Sequence, residues 1–102
     1  MRLLSRTDVE SLLDPDDCRN AMAVAMADLS AGHAIQSLRT VESLHNGRDS
    51  ALFMPAVLSQ PPVLGVKVVT IYPDNQADGI ASHHGALLLF ESRNGQPVAL
   101  LE

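Results

Sequence analysis

One lysine interrupts the most apolar stretch of the chain. Lys67 stands in Val63-Leu64-Gly65-Val66-Lys67-Val68-Val69-Thr70-Ile71, a run apolar at both parities, which predicts a strand covered on both faces. An ammonium there must snorkel to a rim, meet a protein carboxylate, or serve a ligand. Arg39 breaks a second β-like stretch, Ser37-Leu38-Arg39-Thr40-Val41. Its guanidinium suits a carboxylate gripped through two parallel hydrogen bonds, and equally suits a solvated strand surface. His83 and His84 are adjacent. Neighbours in a strand face opposite ways, so the two do not readily share one metal, though either can serve as an acid or donor in a pocket. His33, His45 and Cys18 have no recognised ligand spacing. Ser82 precedes the histidines outside any Gly-x-Ser-x-Gly elbow. Neither a P-loop nor Gly-x-Gly-x-x-Gly occurs, so phosphate has no visible cradle. Glu42, Asp49, Asp74 and Asp78 fall in different expected elements.

The first 32 residues read as helical. Thr7 and Glu10 stand at capping-box spacing. Asp14-Pro15 then restarts the helix with an N-cap acid and a proline at the first helical position. Cys18, Ala21, Met22, Ala25, Met26 and Leu29 keep the rhythm of one buried face up to Gly32. Thereafter β-branched residues and closely spaced turn signals predict strands near 37–44, 51–58, 63–72, 85–91 and 97–101. Pro55 marks an edge or bend in the second. Asn46-Gly47 and Asn94-Gly95 suit type I′ hairpin turns, and the short spacings favour antiparallel pairing. The expected fold is a single α+β domain over residues 1–102, residues 1–32 helical and 37–102 β-sheet, with the N-terminal helices packed on a mostly antiparallel sheet.

Bulk properties narrow the partners. The formal charge is −5, the seven basic residues are scattered, and there are three aromatic rings. That balance argues against nucleic acid or an anionic membrane as the main partner. A single cysteine allows no internal disulfide framework and suits a reducing compartment, with the cytoplasm as the default. The start turns polar within a few residues, without a signal-peptide core, and no apolar run approaches the roughly 20 residues of a membrane span. Leu101-Glu102 ends the chain in or just after an apolar strand, as though between two elements.

Taken in order, these pieces carry a resemblance. Leu64-Gly65-Val66-Lys67-Val68-Val69-Thr70-Ile71-Tyr72-Pro73-Asp74-Asn75 is similar to the ornithine cyclodeaminase/mu-crystallin family. Ser82-His83, Ala86-Leu87-Leu88-Leu89-Phe90-Glu91 and Asn94-Gly95-Gln96-Pro97 follow in the family's order. Upstream, Met1-Arg2-Leu3-Leu4-Ser5, Leu38-Arg39-Thr40 and Met54-Pro55-Ala56 match as well. The resemblance covers the whole chain.

It implies the N-terminal substrate and dimerisation portion of a homodimeric, NAD(P)-dependent enzyme acting on small α-amino or α-imino acids. Deaminases, amino acid dehydrogenases and ketimine reductases are the activities it suggests. By that match Arg39 binds the substrate carboxylate. Lys67 contacts the same carboxylate or the reacting nitrogen, as a charge or catalytic proton donor. Ser82 lines the pocket and His83 follows it. Ornithine-specific members carry a glutamate two residues before the Met-Pro pair; here that residue is Leu52. An apolar side chain cannot pair with a distal ammonium, which argues against ornithine. The family's further carboxylate-binding arginine and its Rossmann domain lie beyond these motifs. The 102 residues are therefore expected to bind no dinucleotide alone and to be inactive alone. The alternative is a stand-alone binding or dimerisation module without catalysis.

Overall fold

The computed structural model describes all 102 residues. Its strands are β1 (Arg2–Leu4), β2 (Ile35–Gln36), β3 (Thr40–Ser43), β4 (Ser50–Ser59), β5 (Pro62–Ile71), β6 (His83–Glu91) and β7 (Pro97–Leu101). Helices α1 (Arg6–Leu12) and α2 (Pro15–Ser30) lie between β1 and β2, and a 3-10 turn spans Pro73–Asp78. One sheet holds every strand in the order β1-β7-β6-β5-β4-β2, with β3 also on β4. All pairs are antiparallel except β1 with β7. The expected α+β fold with a mostly antiparallel sheet is what forms.

Several local expectations are corrected. Residues 2–4 are strand rather than helix, because Leu4 pairs with Leu101 at the far end of the chain. That strand fixes where α1 begins. The capping box is Ser5 with Asp8, not Thr7 with Glu10, which repeats the spacing two residues too late. The restart at Asp14 is as expected: its carboxylate accepts from the N–H groups of Asp16 and Asp17, and Pro15 opens α2. The apolar stripe of α2 is not buried. Cys18, Ala25 and Leu29 are half-covered, whereas Ala21, Met22 and Met26 are exposed. The one buried residue is Asp28, 9% exposed, whose carboxylate accepts from the Ser59 N–H and hydroxyl. It ties the end of α2 to the end of β4.

The strand expected over 37–44 divides in two. Gln36 pairs with Ala56 and Thr40 with Phe53, so four steps on one side meet three on the other. Residues 37–39 leave the ladder opposite Pro55, which has no N–H to donate. The bend expected at Pro55 is thus a gap in its neighbour, and β4 remains internal. The Asn-Gly pairs do turn the chain, but not as type I′ turns. That geometry needs positive φ at both central residues, and only Gly47 and Gly95 have it, at 68° and 75°. Asn46 instead accepts through Oδ1 from the N–H groups of Arg48 and Asp49.

No apolar side chain is fully buried. The accessible surface is 7551 Å², against about 5,600 Å² for a compact monomer of this mass. The radius of gyration is 15.5 Å, where about 13 Å is usual for this length. The central strands, expected to be covered on both faces, are open on both. The helices meet the sheet mainly at β1 and β4.

Candidate functional site

Pairing registers sort the sheet into two faces, because directly opposed residues share a side and alternate residues change it. Lys67 lies opposite Met54 on β4 and Leu87 on β6. Around it on the same face stand Leu52 and Ala56 of β4, Gly65 and Val69 of β5, and Gly85 and Leu89 of β6. All eight nearest positions are apolar. The ammonium is exposed and enters no ion pair. An unpartnered cation centred on an apolar grid is a feature that neither packing nor surface solvation requires.

Arg39 lies in the gap between β2 and β3 rather than within a strand. Arg39 itself has no ladder partner, the pairing resuming at Thr40 with Phe53. Arg39, Met54, Pro55 and Leu38 line one surface hollow. Met54 is common to both cations, as the ladder partner of Lys67 and a neighbour of Arg39 in that hollow. Arg39 also enters no ion pair. The interruption opposite Pro55 is what frees this arginine from the ladder.

His83 pairs with Ile71, which puts it on the Lys67 face, four residues along the strand or about 13 Å away. Its Nδ1 lies 2.9 Å from the Ser82 hydroxyl. His84, opposite Thr70, belongs to the other face, as strand alternation predicts. Of the carboxylates, Asp74 pairs with Arg48 at 2.5 Å, tying the β3–β4 hairpin to the 3-10 turn. None lies next to Lys67. No three His, Cys, Asp or Glu side chains gather into a metal-binding group.

Two residues beside Lys67 escape sequence reasoning. Gly65 is held by packing, since a Cβ there would come within 3.1 Å of Leu89 Cδ2. Gly85 is not: a Cβ there would make only ordinary contacts, at 3.5 Å, and its φ is not in the left-handed region. A glycine inside an apolar strand was the signal available, but its meaning needs the register.

The opposite face has a different character. Leu3, Ile35, Phe53, Leu64 and Leu100 all lie there, between 37% and 67% exposed. Phe53 opposes Val68, Leu64 opposes Phe90, and Leu100 opposes both Leu3 and Leu88. No helix is long and apolar enough to cross a membrane.

The β1–α1 connection, the one place where a parallel strand leads into a helix, runs through Ser5 with no glycine in the turn.

Comparison with known proteins extends this picture. A Delta(1)-pyrroline-2-carboxylate reductase of Bacillus cereus is 32% identical over 102 residues, all of this chain and 31% of the relative. The Thermococcus litoralis Delta(1)-pyrroline-2-carboxylate reductase, solved with NADH and L-proline, superposes with a TM-score of 0.93 at 35% identity. The match covers 100% of this chain and 32% of that one. An archaeal alanine dehydrogenase dimer with bound NAD superposes at 0.90 with 25% identity, over 99% of this chain and 30% of that one. The chain thus spans about a third of the length of the relatives it matches. The model of the ornithine cyclodeaminase/mu-crystallin family matches residues 1–102 throughout, and the chain belongs to that family.

Proposed function

We propose that these residues are the substrate-binding and dimerisation part of an NAD(P)-dependent enzyme acting on small α-amino or α-imino acids. The observation that carries the reading is Lys67, an unpaired cation amid eight apolar positions, with the likewise unpaired Arg39 in a hollow that its neighbour Met54 also lines. An anion held between two cations gains from both charges. A carboxylate satisfies both: Arg39 offers paired donors in a plane, and Lys67 adds a point charge. Lys67 is also the group able to hold a proton beside the reacting nitrogen. Ser82 and His83 border the far end of the same face. The relatives named for pyrroline-2-carboxylate, proline and NADH support an imino acid substrate and a nicotinamide cofactor. The cofactor supplies or accepts hydride when bound.

Dimerisation is supported by the opposite face. The surface in excess of a compact monomer is roughly 2,000 Å², whereas a standard interface takes about 800 Å² from each partner. The archaeal relative described as a dimer agrees with this use.

The experiment is a titration of the protein with acetate and L-proline, followed by NMR of the Lys67 side chain. Both ligands are expected to shift it. Lys67→Met is expected to cut L-proline affinity by roughly tenfold or more, the value of a lost charge-assisted contact. Unchanged affinity within a factor of two contradicts the assignment.

A further inference from the structure

The two Asn-Gly turns carry a chemistry of their own, because an asparagine followed by glycine can lose its amide without an enzyme. The glycine nitrogen attacks the asparagine Cγ, and the missing Cβ leaves that approach uncrowded. Asn46-Gly47 and Asn94-Gly95 are both exposed. Both glycine N–H groups donate to a carbonyl, Gly47 to Leu44 at 2.9 Å and Gly95 to Glu91 at 2.8 Å. The nucleophiles are thus held alike, but the electrophiles are not. Asn46 Oδ1 accepts from the N–H groups of Arg48 and Asp49 at 3.0 and 2.9 Å, and its Nδ2 donates to the Asp49 carboxylate. That last bond is charge-assisted. Asp49 is itself half-buried, and its carbonyl accepts from the Leu44 N–H. Asn94 has Gln96 alone as partner. Its Oδ1 accepts from the Gln96 N–H at 3.0 Å, and its Nδ2 donates to the exposed Gln96 side chain at 3.3 Å.

We propose that Asn94 is a site of spontaneous deamidation and isoaspartate formation, and that the same dipeptide at Asn46 is protected by its bond to Asp49. The Gly95 nitrogen gives its proton to hydroxide or water and bonds to Asn94 Cγ; the Cγ–Nδ2 bond breaks and ammonia leaves. Water then opens the resulting succinimide at either carbonyl, giving aspartate or isoaspartate. No oxidant or reductant enters. To react, the Asn94 amide gives up only its contacts with Gln96, whereas Asn46 must also leave a carboxylate. The Asp49 charge further disfavours an anionic intermediate at Asn46, while the residue beside Asn94 is the cationic Arg93. Each conversion adds a negative charge to a chain already at −5. Isoaspartate also lengthens the main chain by a methylene between Glu91 and Gln96, where the Glu91 N–H donates to the Gln96 carbonyl at 2.9 Å. The change therefore falls on the turn that sets β7 between β6 and β1.

The test is incubation of the protein at mildly alkaline pH, native and in concentrated urea, followed by peptide mapping with mass spectrometry. Wild type and Asp49→Ala are compared. In the native wild type, Asn94 is expected to convert about tenfold or more faster than Asn46, the value of a charge-assisted hydrogen bond expressed as a rate. In urea both turns are lost and the two rates should converge. Native Asp49→Ala should speed Asn46 roughly tenfold. Its Asn94 rate should match that of the wild type, which also reports an intact β6–β7 hairpin. The proposal is overturned if Asn46 converts as fast as Asn94 in the native wild type, or if neither converts there while both convert in urea. A gap that persists in urea overturns it too, since the fold would then not be its cause. An Asn46 rate unmoved by Asp49→Ala removes the protecting role of Asp49.

Discussion

The two faces of the sheet are built on the same ladder yet carry opposite chemistry. On one, Lys67 stands alone among eight apolar neighbours beside a glycine the fold does not need. On the other, five large hydrophobic side chains, one from each of five strands, are exposed. Alternation of side chains along β4 and β5 produces both at once, since Met54 and Lys67 share one face while Phe53 and Val68 share the other. A small charged ligand and a large apolar partner can therefore use one sheet without competing. Neither face alone forms a core, and the absence of fully buried apolar side chains follows from that.

The largest expected effect comes from breaking the apolar face. Phe53→Lys with Leu100→Lys places two charges where apolar partners meet. Sedimentation should show self-association weakened on the order of a hundredfold or more, with the Lys67 response to acetate retained. Unaltered association would mean this face is not a protein surface.

On the other face, Lys67→Met is expected to separate binding from stability. L-proline affinity falls roughly tenfold, but the melting temperature should hold or rise, because an apolar side chain suits the surrounding grid better than an ammonium. A clear drop in melting temperature would recast Lys67 as structural.

Asp28 belongs to neither face and serves as a control. Asp28→Ala removes the acceptor of the Ser59 N–H and hydroxyl and is expected to cost about 2 kcal/mol in denaturant unfolding. The acetate response should be unaffected.

The smallest effect is at the start of α1. The Ser5 hydroxyl, and then its backbone N–H, hold the Asp8 carboxyl below the usual aspartate range against a small opposing effect of desolvation. A depressed carboxylate stabilises the folded chain above its unfolded value, and the contribution fades as pH falls through the folded one. Acid loosening of this helix end is thus confined to pH below the ordinary aspartate range. Ser5→Ala should raise the Asp8 pKa toward its ordinary value in an NMR titration; an unchanged value would remove the cap from the account.

Local features were legible in the sequence. Asp14-Pro15 opens a helix because its cap donors lie within three residues, and β4 to β7 follow from short apolar runs bounded by turn residues. What escaped depends on distant partners. Arg2–Leu4 is a strand because of residues 99–101, and that pairing then selects Ser5 over Thr7 as the helix cap. The gap that frees Arg39 follows from Pro55, sixteen positions further along, and Gly85 gains its meaning from register with Val69. The residues of the anchor were readable as types and by family resemblance; their neighbourhood was readable only from the ladder.

A crystal structure of the protein with L-proline tests most directly the proposal that Lys67 and Arg39 hold one carboxylate. The carboxylate is expected within hydrogen-bond distance of both the Lys67 ammonium and the Arg39 guanidinium. L-proline on the opposite face, or a carboxylate that touches neither cation, would contradict it.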